Sequence, residues 1–332
     1  MNTPIHIIAE AGTNNNGNLQ KAKNLVDIAK RAGADSVKFQ LINTWGLYLP
    51  GNYDYGHYKI EDVIKIRKDG EMTDDEYTEL SAYSKNVGID FSSSVFDIDG
   101  LKLLASFKPA YIKIASCDLN NIRFLKQVAD CGIKMVVSTG MSTLQDVEKT
   151  VNAIRYNGFN DIVLLHCVSV YPAKLEETNL PFISTLKNNF GTEVGFSDHT
   201  PTSHAACMAL TYGATWFEKH FTEDKSQKGL DHAYALDESE LTNYVKDLHN
   251  AVLAISPKED KISEKEFYTR KRARRSLYAA EDLPIGHIIR DEDVLCVRPE
   301  NIMQADEIEL IIGKKLIKPI TKHEPFKLEV VN

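Results

Sequence analysis

Short apolar runs alternate with amphipathic stretches through the first two thirds of the chain. The runs cover residues 5–11, 36–40, 89–93, 111–116, 135–139, 162–167, 194–197 and 215–220. Their Val and Ile content predicts strands of a parallel sheet buried on both faces. Between them, residues 19–32, 101–107, 122–131, 144–156, 180–189 and 202–212 carry helical periodicity, and a last helix is expected over 240–255. Eight strands joined by crossover helices close into a TIM (β/α)8 barrel, so the pattern predicts an α/β fold. A long insert after the second strand, residues 43–70, brings Trp45, tyrosines and glycines and is expected to wall or lid the barrel mouth.

Past residue 256 the pattern changes. Residues 257–275 are polar and strongly charged and read as a linker between the barrel, 1–256, and a small β-rich domain, 276–332. Turn signals at Pro284-Ile285-Gly286-His287 and Lys322-His323-Glu324-Pro325 separate apolar segments there. A domain this small is near the limit of independent stability, and docking on a barrel, its own or a partner's, would remedy that.

The last two strand runs end in the densest chemistry, GFSDHT and FEKHFT, followed by GLDH. Adjacent parallel strands deliver His199 and His220 side by side at one end of the sheet, with Asp198, Glu218 and Asp231 near them. In a barrel that end carries the active site. A lone histidine at a strand end is more often a hydrogen-bonded structural residue. Two in matching places among carboxylates favour a metal or catalytic pair, and the donor set suits a divalent transition metal with open positions.

Composition changes this picture little but removes some classes. At 43% apolar and 26% charged residues the chain is an ordinary globular protein. A formal charge of -8 argues against nucleic acid or an anionic membrane as the main partner, while leaving room for a local basic patch that takes a small anion. No basic and apolar leader or membrane-length run is seen, and the five cysteines lack CxxC spacing, so a cytoplasmic protein with reduced thiols is expected. Cys117 and Cys167 follow strand runs and can line a site, though inert packing is the commoner use.

In chain order the strand ends read AEAGTNNNG, VKFQ, FSSSVFD, YIKIASCD, VVSTGMST, LLHCVSVYP, VGFSDHT and FEKHFT. This series resembles the sialic acid (N-acetylneuraminate) synthase family, with its legionaminate and pseudaminate synthase relatives, over essentially the whole chain. The tail, RRSLYAAEDLPIG…VRPE…IIGKKLIKPI, resembles the SAF or antifreeze-like domain that follows the barrel in those enzymes.

The resemblance implies a transferase that condenses phosphoenolpyruvate with an N-acetylmannosamine-type aldehyde, by C–O cleavage, to give phosphate and a nine-carbon 2-keto acid. It assigns Lys38 and Lys113 to the anion's charge and Ser94, Ser116, Ser138, Ser169 and Ser197 to its hydrogen bonds. It makes Glu10 a general base, with Gln40 orienting sugar or water. His199 and His220 would hold a divalent metal, manganese first and magnesium or cobalt next. Asp118, Tyr171 and Asp231 would line the sugar pocket, and Arg298 would reach a neighbouring subunit's sugar in a domain-swapped homodimer. Bland uses exist beside these: a buried barrel lysine can pair with Glu10 or Asp118, Asp118 and Asp231 can cap helices, and Arg298 can be a solvated surface residue.

Several positions depart from the family pattern. Asn15 stands where most relatives have histidine, and Asn cannot carry a proton. Ser94-Val95 replaces Thr-Pro, GLDH has leucine for proline or serine, and VRPENIM lacks the usual glycines. Together these point to a diverged sugar specificity. Three other readings stay open: a Schiff-base aldolase using Lys113 or Lys38, a metal-dependent hydrolase, and a non-catalytic carbohydrate- or ice-binding protein suggested by the tail alone. The acceptor itself, whether N-acetylmannosamine, its 6-phosphate, a 2,4-diacetamido-trideoxy hexose or mannose, is not fixed by these residues.

Overall fold

The structure, a computed structural model, describes residues 4–49, 54–55, 58–256 and 262–332. Each of the eight expected strands is present: β1 (His6–Gly12), β2 (Ser36–Leu41), β3 (Asp90–Val95), β4 (Ile112–Ile114), β5 (Met135–Ser138), β6 (Ile162–Cys167), β7 (Glu193–Asp198) and β8 (Trp216–His220). They form a closed barrel in chain order, every pairing parallel, with β8 returning to β1. The fourth strand is shorter than the apolar run 111–116 because the chain leaves it for a 3-10 turn, Ser116–Asp118.

Alternation along the strands sorts the side chains into two cores. Residues such as Ile7, Val37, Phe39, Val194, Phe196 and Phe217 point outward into the large cluster shared with the helices. Inside the barrel, Ile8, Tyr111, Val136, Val163, Leu165 and Trp216 form a smaller apolar plug. His6 stacks on Trp216 with ring centroids 4.1 Å apart and reaches Ser36 at 2.9 Å, sealing the end where the strands begin. Polar residues are thereby left to the other end, where the strands finish.

The helices that follow are α1 (Leu19–Ala32), α2 (Asp74–Val87), α3 (Ile98–Ser106), α4 (Ile122–Ala129), α5 (Leu144–Tyr156), α6 (Pro181–Phe190), α7 (His204–Ala209) and α8 (Glu238–Ile255). Helix α2 was not among the expected ones. It buries only Tyr77, Leu80 and Ser84, a thin apolar stripe, but its start carries a reciprocal Thr73–Glu76 capping box that the sequence displays. The insert holds a further helix, Ile60–Asp69. Residues 50–53 and 56–57 of the expected lid lie outside the described residues.

The chain divides into two compact units, Met1–Ser256 and Pro257–Asn332. Within the stretch expected as a linker lies α9 (Glu264–Ala273), which joins the second unit through Arg270 to Glu300 at 2.8 Å. That unit has one antiparallel pair, β9 (Ser276–Ala279) with β10 (Val294–Val297), and otherwise isolated bridges. Its core is a single cluster that includes Leu277, Leu283, Ile289, Ile311, Leu316, Ile320 and Phe326. Both expected turns are there, with Gly286 at φ +88 and His323 at φ +66. Among the described residues no helix is long and apolar enough to cross a membrane.

Candidate active site

Strand register brings the candidate residues together. Glu10 on β1 lies opposite Lys38 on β2 and His220 on β8, Gln40 lies opposite Ser94 on β3, and Ser94 opposite Lys113 on β4. On the far side Cys167 is level with Ser197, and Ser197 with Glu218. These side chains border a pocket of about 300 Å³ that also takes in Ser116, Ser138, Ser169, Tyr171 and His199. Twelve of the sequence-based candidates thus share one cavity: Glu10, Lys38, Gln40, Ser94, Lys113, Ser116, Ser138, Ser169, Tyr171, Ser197, His199 and His220.

Charge in the pocket is paired. The Lys38 ammonium sits 2.6 Å from Glu10 and 3.6 Å from Glu218, and donates to Ser94 Oγ at 2.9 Å. Lys113 donates to Ser138 Oγ at 2.6 Å and lies 3.8 Å from Glu218, not against Asp118. Burial opposes the charge on Lys38, but Glu10 and Glu218 outweigh it and raise its pKa. For Lys113 burial wins over Glu218, and its pKa falls. Burial works against Glu218 too, yet Lys113 and Lys38 hold it down to about 2. Glu10 goes the other way: burial, with Glu218 adding to it, pushes its carboxyl up to about 7 against the pull of Lys38. A carboxyl in that range is suited to taking and returning a proton near neutrality.

The histidines face one another with ring centroids 5.7 Å apart, and Tyr171 covers His199 at 4.1 Å. His199 Nδ1 is 2.7 Å from the Val168 carbonyl, so that nitrogen carries the hydrogen. Its Nε2 is 3.5 Å from Ser197 Oγ, whose own hydrogen goes to Glu218 at 2.9 Å. Burial, then repulsion from His220, pushes His199 down to about 4, and burial lowers His220 as well. Both imidazoles are therefore neutral near pH 7, and His199 Nε2 holds a lone pair with no donor aimed at it among the described residues.

That donor set fits a divalent cation. His220 Nδ1 is buried without a hydrogen-bond partner among the described residues, and the Val168 carbonyl orients His199 as an outer partner orients a metal-bound imidazole. Among the described residues no three His, Cys, Asp or Glu side chains form a ready-made cage, so two imidazoles would leave the other positions to water or substrate.

Three candidates stand apart from the cavity lining. Asp231 is buried beside it: Tyr234 donates to its Oδ1 at 2.7 Å, and its Oδ2 occupies the space where a side chain at Gly12 would begin. Asp118, half-buried, accepts from Asn121 at 3.2 Å. Arg298 is exposed in the second unit, just past β10.

Sequence reasoning undervalued three residues. Glu218 bridges the two lysines, a role set by contacts across the barrel. Tyr234 packs against both Tyr171 and His220, at 5.1 and 5.3 Å. At Gly140 a β-carbon would fall 2.4 Å from Ser169 Oγ and 2.8 Å from both Cys167 Sγ and Ser116 Oγ, so only glycine lets these groups converge. Its amide also donates to Ser116 at 3.0 Å. The glycine in STGMST was the available signal, but the atoms crowding it come from other strands.

Known proteins are similar to the chain over most of its length. The profile of the NeuB family matches residues 25–260, and that of the SAF domain residues 274–329. The N,N'-diacetyllegionaminic acid synthase of Legionella pneumophila is 35% identical over 320 residues, covering 93% of this chain and 90% of that protein. A pseudaminic acid synthase of Campylobacter jejuni is 32% identical, covering 95% and 93%. Among solved structures, the N-acetylneuraminic acid (sialic acid) synthetase of Leptospira borgpetersenii, in complex with citrate, superposes with a TM-score of 0.72 at 30% identity over 81% of this chain and 90% of that one. The chain belongs to the NeuB family.

Proposed function

We propose that this protein condenses phosphoenolpyruvate with an N-acetylmannosamine-type aldehyde sugar, giving a nine-carbon 2-keto acid and phosphate. One observation carries the reading: a single cavity holds Lys38 and Lys113 with their serines at one end and the facing His199 and His220 at the other, with Glu10 between. A small polyanion needs the first set and a carbonyl awaiting attack needs the second.

Lys38, Lys113, Ser94, Ser116, Ser138, Ser169 and Ser197 take the phosphate and carboxylate oxygens of phosphoenolpyruvate, orienting its C3 toward the aldehyde. Tyr171, Gln40, Asp118 and Asp231 position the sugar. A divalent metal on His199 and His220, manganese first and magnesium or cobalt next, would supply Lewis-acid polarisation of the aldehyde. C3 bonds to the aldehyde carbon, whose oxygen gains a proton, and C2 is left electron-poor. Glu10 takes a proton from the water that adds at C2. The adduct then loses phosphate by breaking the C2–O bond, and the C2 hydroxyl releases its proton to become the ketone. Arg298 reaches the sugar bound by a neighbouring subunit in a domain-swapped homodimer, and the enzyme is cytoplasmic.

The test is phosphate release from phosphoenolpyruvate with a panel of amino-sugar aldehydes, with and without added manganese. Bridging-oxygen-labelled phosphoenolpyruvate reports the bond: label in the phosphate supports C–O cleavage, and unlabelled phosphate overturns it. A second reading draws on Lys113, whose pKa is lowered by burial as a Schiff-base lysine requires. Borohydride trapping of a pyruvate adduct would favour that aldolase, whereas loss of activity in a chelator favours the metal route.

A further inference from the structure

The insert helix Ile60–Asp69 carries four cations in or beside it, and they do not face the same way. Lys59 is exposed, Lys65 pairs with Asp69 at 2.7 Å in solvent, and Lys68 pairs with Glu71 at 2.7 Å, also exposed. Arg67 alone of these turns toward the barrel. Its Nη1 donates to Thr13 at 2.9 Å, in the loop after β1, and lies 3.4 Å from Gln40 Oε1. Gln40 in turn donates to Glu10 at 2.8 Å, so Arg67 is two hydrogen bonds from the proposed base.

The helix end is fixed where it is by close backbone approach. A β-carbon on Gly17, at φ +68, would fall 2.9 Å from the Asp69 carbonyl and 3.2 Å from that of Glu71. The β1 loop and the last turn of the helix therefore press together, and from that turn Arg67 reaches Thr13 and Gln40, the second of which borders the pocket. There it has donors to spare. Its Nε is buried with no partner among the described residues, and nearby Asp231 Oδ2 is a buried acceptor in the same condition. Arg67 acts on Asp231 electrostatically, helping to hold that carboxyl low once burial is opposed by His220. Arg67 Nε and Asp231 Oδ2, each buried and open, are costly in the free protein, and a ligand that offers both an acceptor and a donor can satisfy them.

We infer that Arg67 is a specificity-determining residue, reading a neutral oxygen of the acceptor sugar, a hydroxyl or an acetamido carbonyl, from the insert side of the pocket. This rests on the condensation reading and adds to it a residue from outside the strand ends. A neutral group is favoured over a phosphoryl group because the carboxylates Asp231 and Glu10 converge with Gln40 around Gly12, and Arg67 approaches that same Gln40, while the remaining described cations of the insert are exposed or paired away from it.

The experiment compares full-length wild type, Arg67→Met and Arg67→Lys in phosphate release, varying phosphoenolpyruvate and acceptor separately, with N-acetylmannosamine, its 6-phosphate and a 2,4-diacetamido-trideoxy hexose. In Arg67→Met the KM for the preferred neutral acceptor rises roughly ten-fold or more, the loss of one charge-assisted hydrogen bond. The KM for phosphoenolpyruvate stays within about two-fold, because the hydrogen bonds of Arg67 go to Thr13 and Gln40 and not to Lys38, Lys113 or their serines. Arg67→Lys recovers part of the loss. An unchanged acceptor KM, or parallel rises in both KM values with a lowered Tm, would assign Arg67 to holding the insert and overturn the inference. So would a wild-type preference for the 6-phosphate that Arg67→Met abolishes. Absence of turnover by wild type with every acceptor sinks the condensation reading itself, a result distinct from turnover indifferent to Arg67.

Discussion

On the β2–β5 side of the pocket, Lys38 and Lys113 have hydroxyl partners, and the buried Glu10 Oε2 and Glu218 Oε2, though without a hydrogen bond, lie in ion-pair range of those lysines, whereas toward β1 and β8, His220 Nδ1, Asp231 Oδ2 and Arg67 Nε have no hydrogen-bond partner among the described residues. The first end is built to exchange one set of oxygens for another. Phosphate and carboxylate oxygens can take the place that Glu10, Glu218, Ser94 and Ser138 hold in the free protein, with little rearrangement. The second end is incomplete, and each open buried group costs on the order of 1–3 kcal/mol until something fills it. Preorganisation therefore lies with the anion and unfilled capacity with the acceptor and its proposed metal, which also explains why family departures such as Asn15 and the altered GLDH need not disturb the anion end.

The sharpest way to break that contrast is to empty the second end. His199→Ala and His220→Ala each remove one of two imidazoles from a site with no third ready-made ligand among the described residues. Turnover is expected to fall by about 10³-fold or more, the several kcal/mol that carbonyl polarisation supplies. Circular dichroism should be unchanged and phosphoenolpyruvate should still protect against thermal unfolding. Full activity in either variant would remove the metal assignment.

Glu10 stands between the two ends, and pH separates its role from theirs. A base works deprotonated, so with its carboxyl pushed up to about 7, kcat/KM should climb as pH rises through about 7 and level above it. Glu10→Gln should flatten that limb and lower the rate by roughly 10²–10⁴-fold. The stability sign is the opposite: a carboxyl raised above its unfolded value favours the fold when neutral, so this contribution is present at acid pH and lost as pH rises toward about 7. A wild-type profile flat between pH 6 and 8, at about one unit either side of that value, would leave Glu10 as a structural partner of Lys38 alone.

Gly140→Ala tests the first end more gently. Its methyl would meet Ser169, Cys167 and Ser116 at 2.8 Å or closer, so the hydroxyls must part. The KM for phosphoenolpyruvate should rise about ten-fold while that for the acceptor holds, the cost of roughly one misplaced hydrogen bond to a charged ligand. Equal rises in both would mean that the two ends are not separable.

How much of this could be read from the chain follows the same division. Lys38, Ser94, Lys113 and Ser138 stand at predictable inward places on strands whose period of two is plain in the sequence, and so do His220 at the end of β8 and His199 just past β7. Helices α1 and α5 matched their expected bounds because capping residues Asn18 and Thr143 precede clear apolar faces. What escaped was whatever depends on approach between distant segments: Glu218 bridging two lysines and Gly140 beneath three side chains. Helix α2 escaped for a local reason, since a stripe of Tyr77, Leu80 and Ser84 is a weak periodic signal. In the second unit, short bridges and turns replace regular strands, so the pattern pointed to the turns more firmly than to the sheet.

The smallest effect is expected at Asn15, and it bears on whether the loop after β1 belongs to the acceptor end at all. The resemblance puts histidine at this place in most relatives, which invites a proton-transfer role. Here Asn15 is buried at 2% exposure, its amide nitrogen directed at the Met72 sulfur 2.8 Å away, and it is not among the residues bordering the pocket. Its neighbours tie the loop to other segments: Asn14 donates to the Phe221 carbonyl at 2.8 Å, and Asn16 to Gln227 at 3.3 Å. Asn15→Ala should therefore act on packing, costing about 1–2 kcal/mol of stability in a denaturant titration through a lost contact and a small void. The kcat, both KM values and the pH profile should move by less than about three-fold, well under the 10²-fold or more that losing a proton-transfer group entails. A larger fall in kcat at full folding would put Asn15 back in the acceptor site and make the division between the two ends begin one loop earlier.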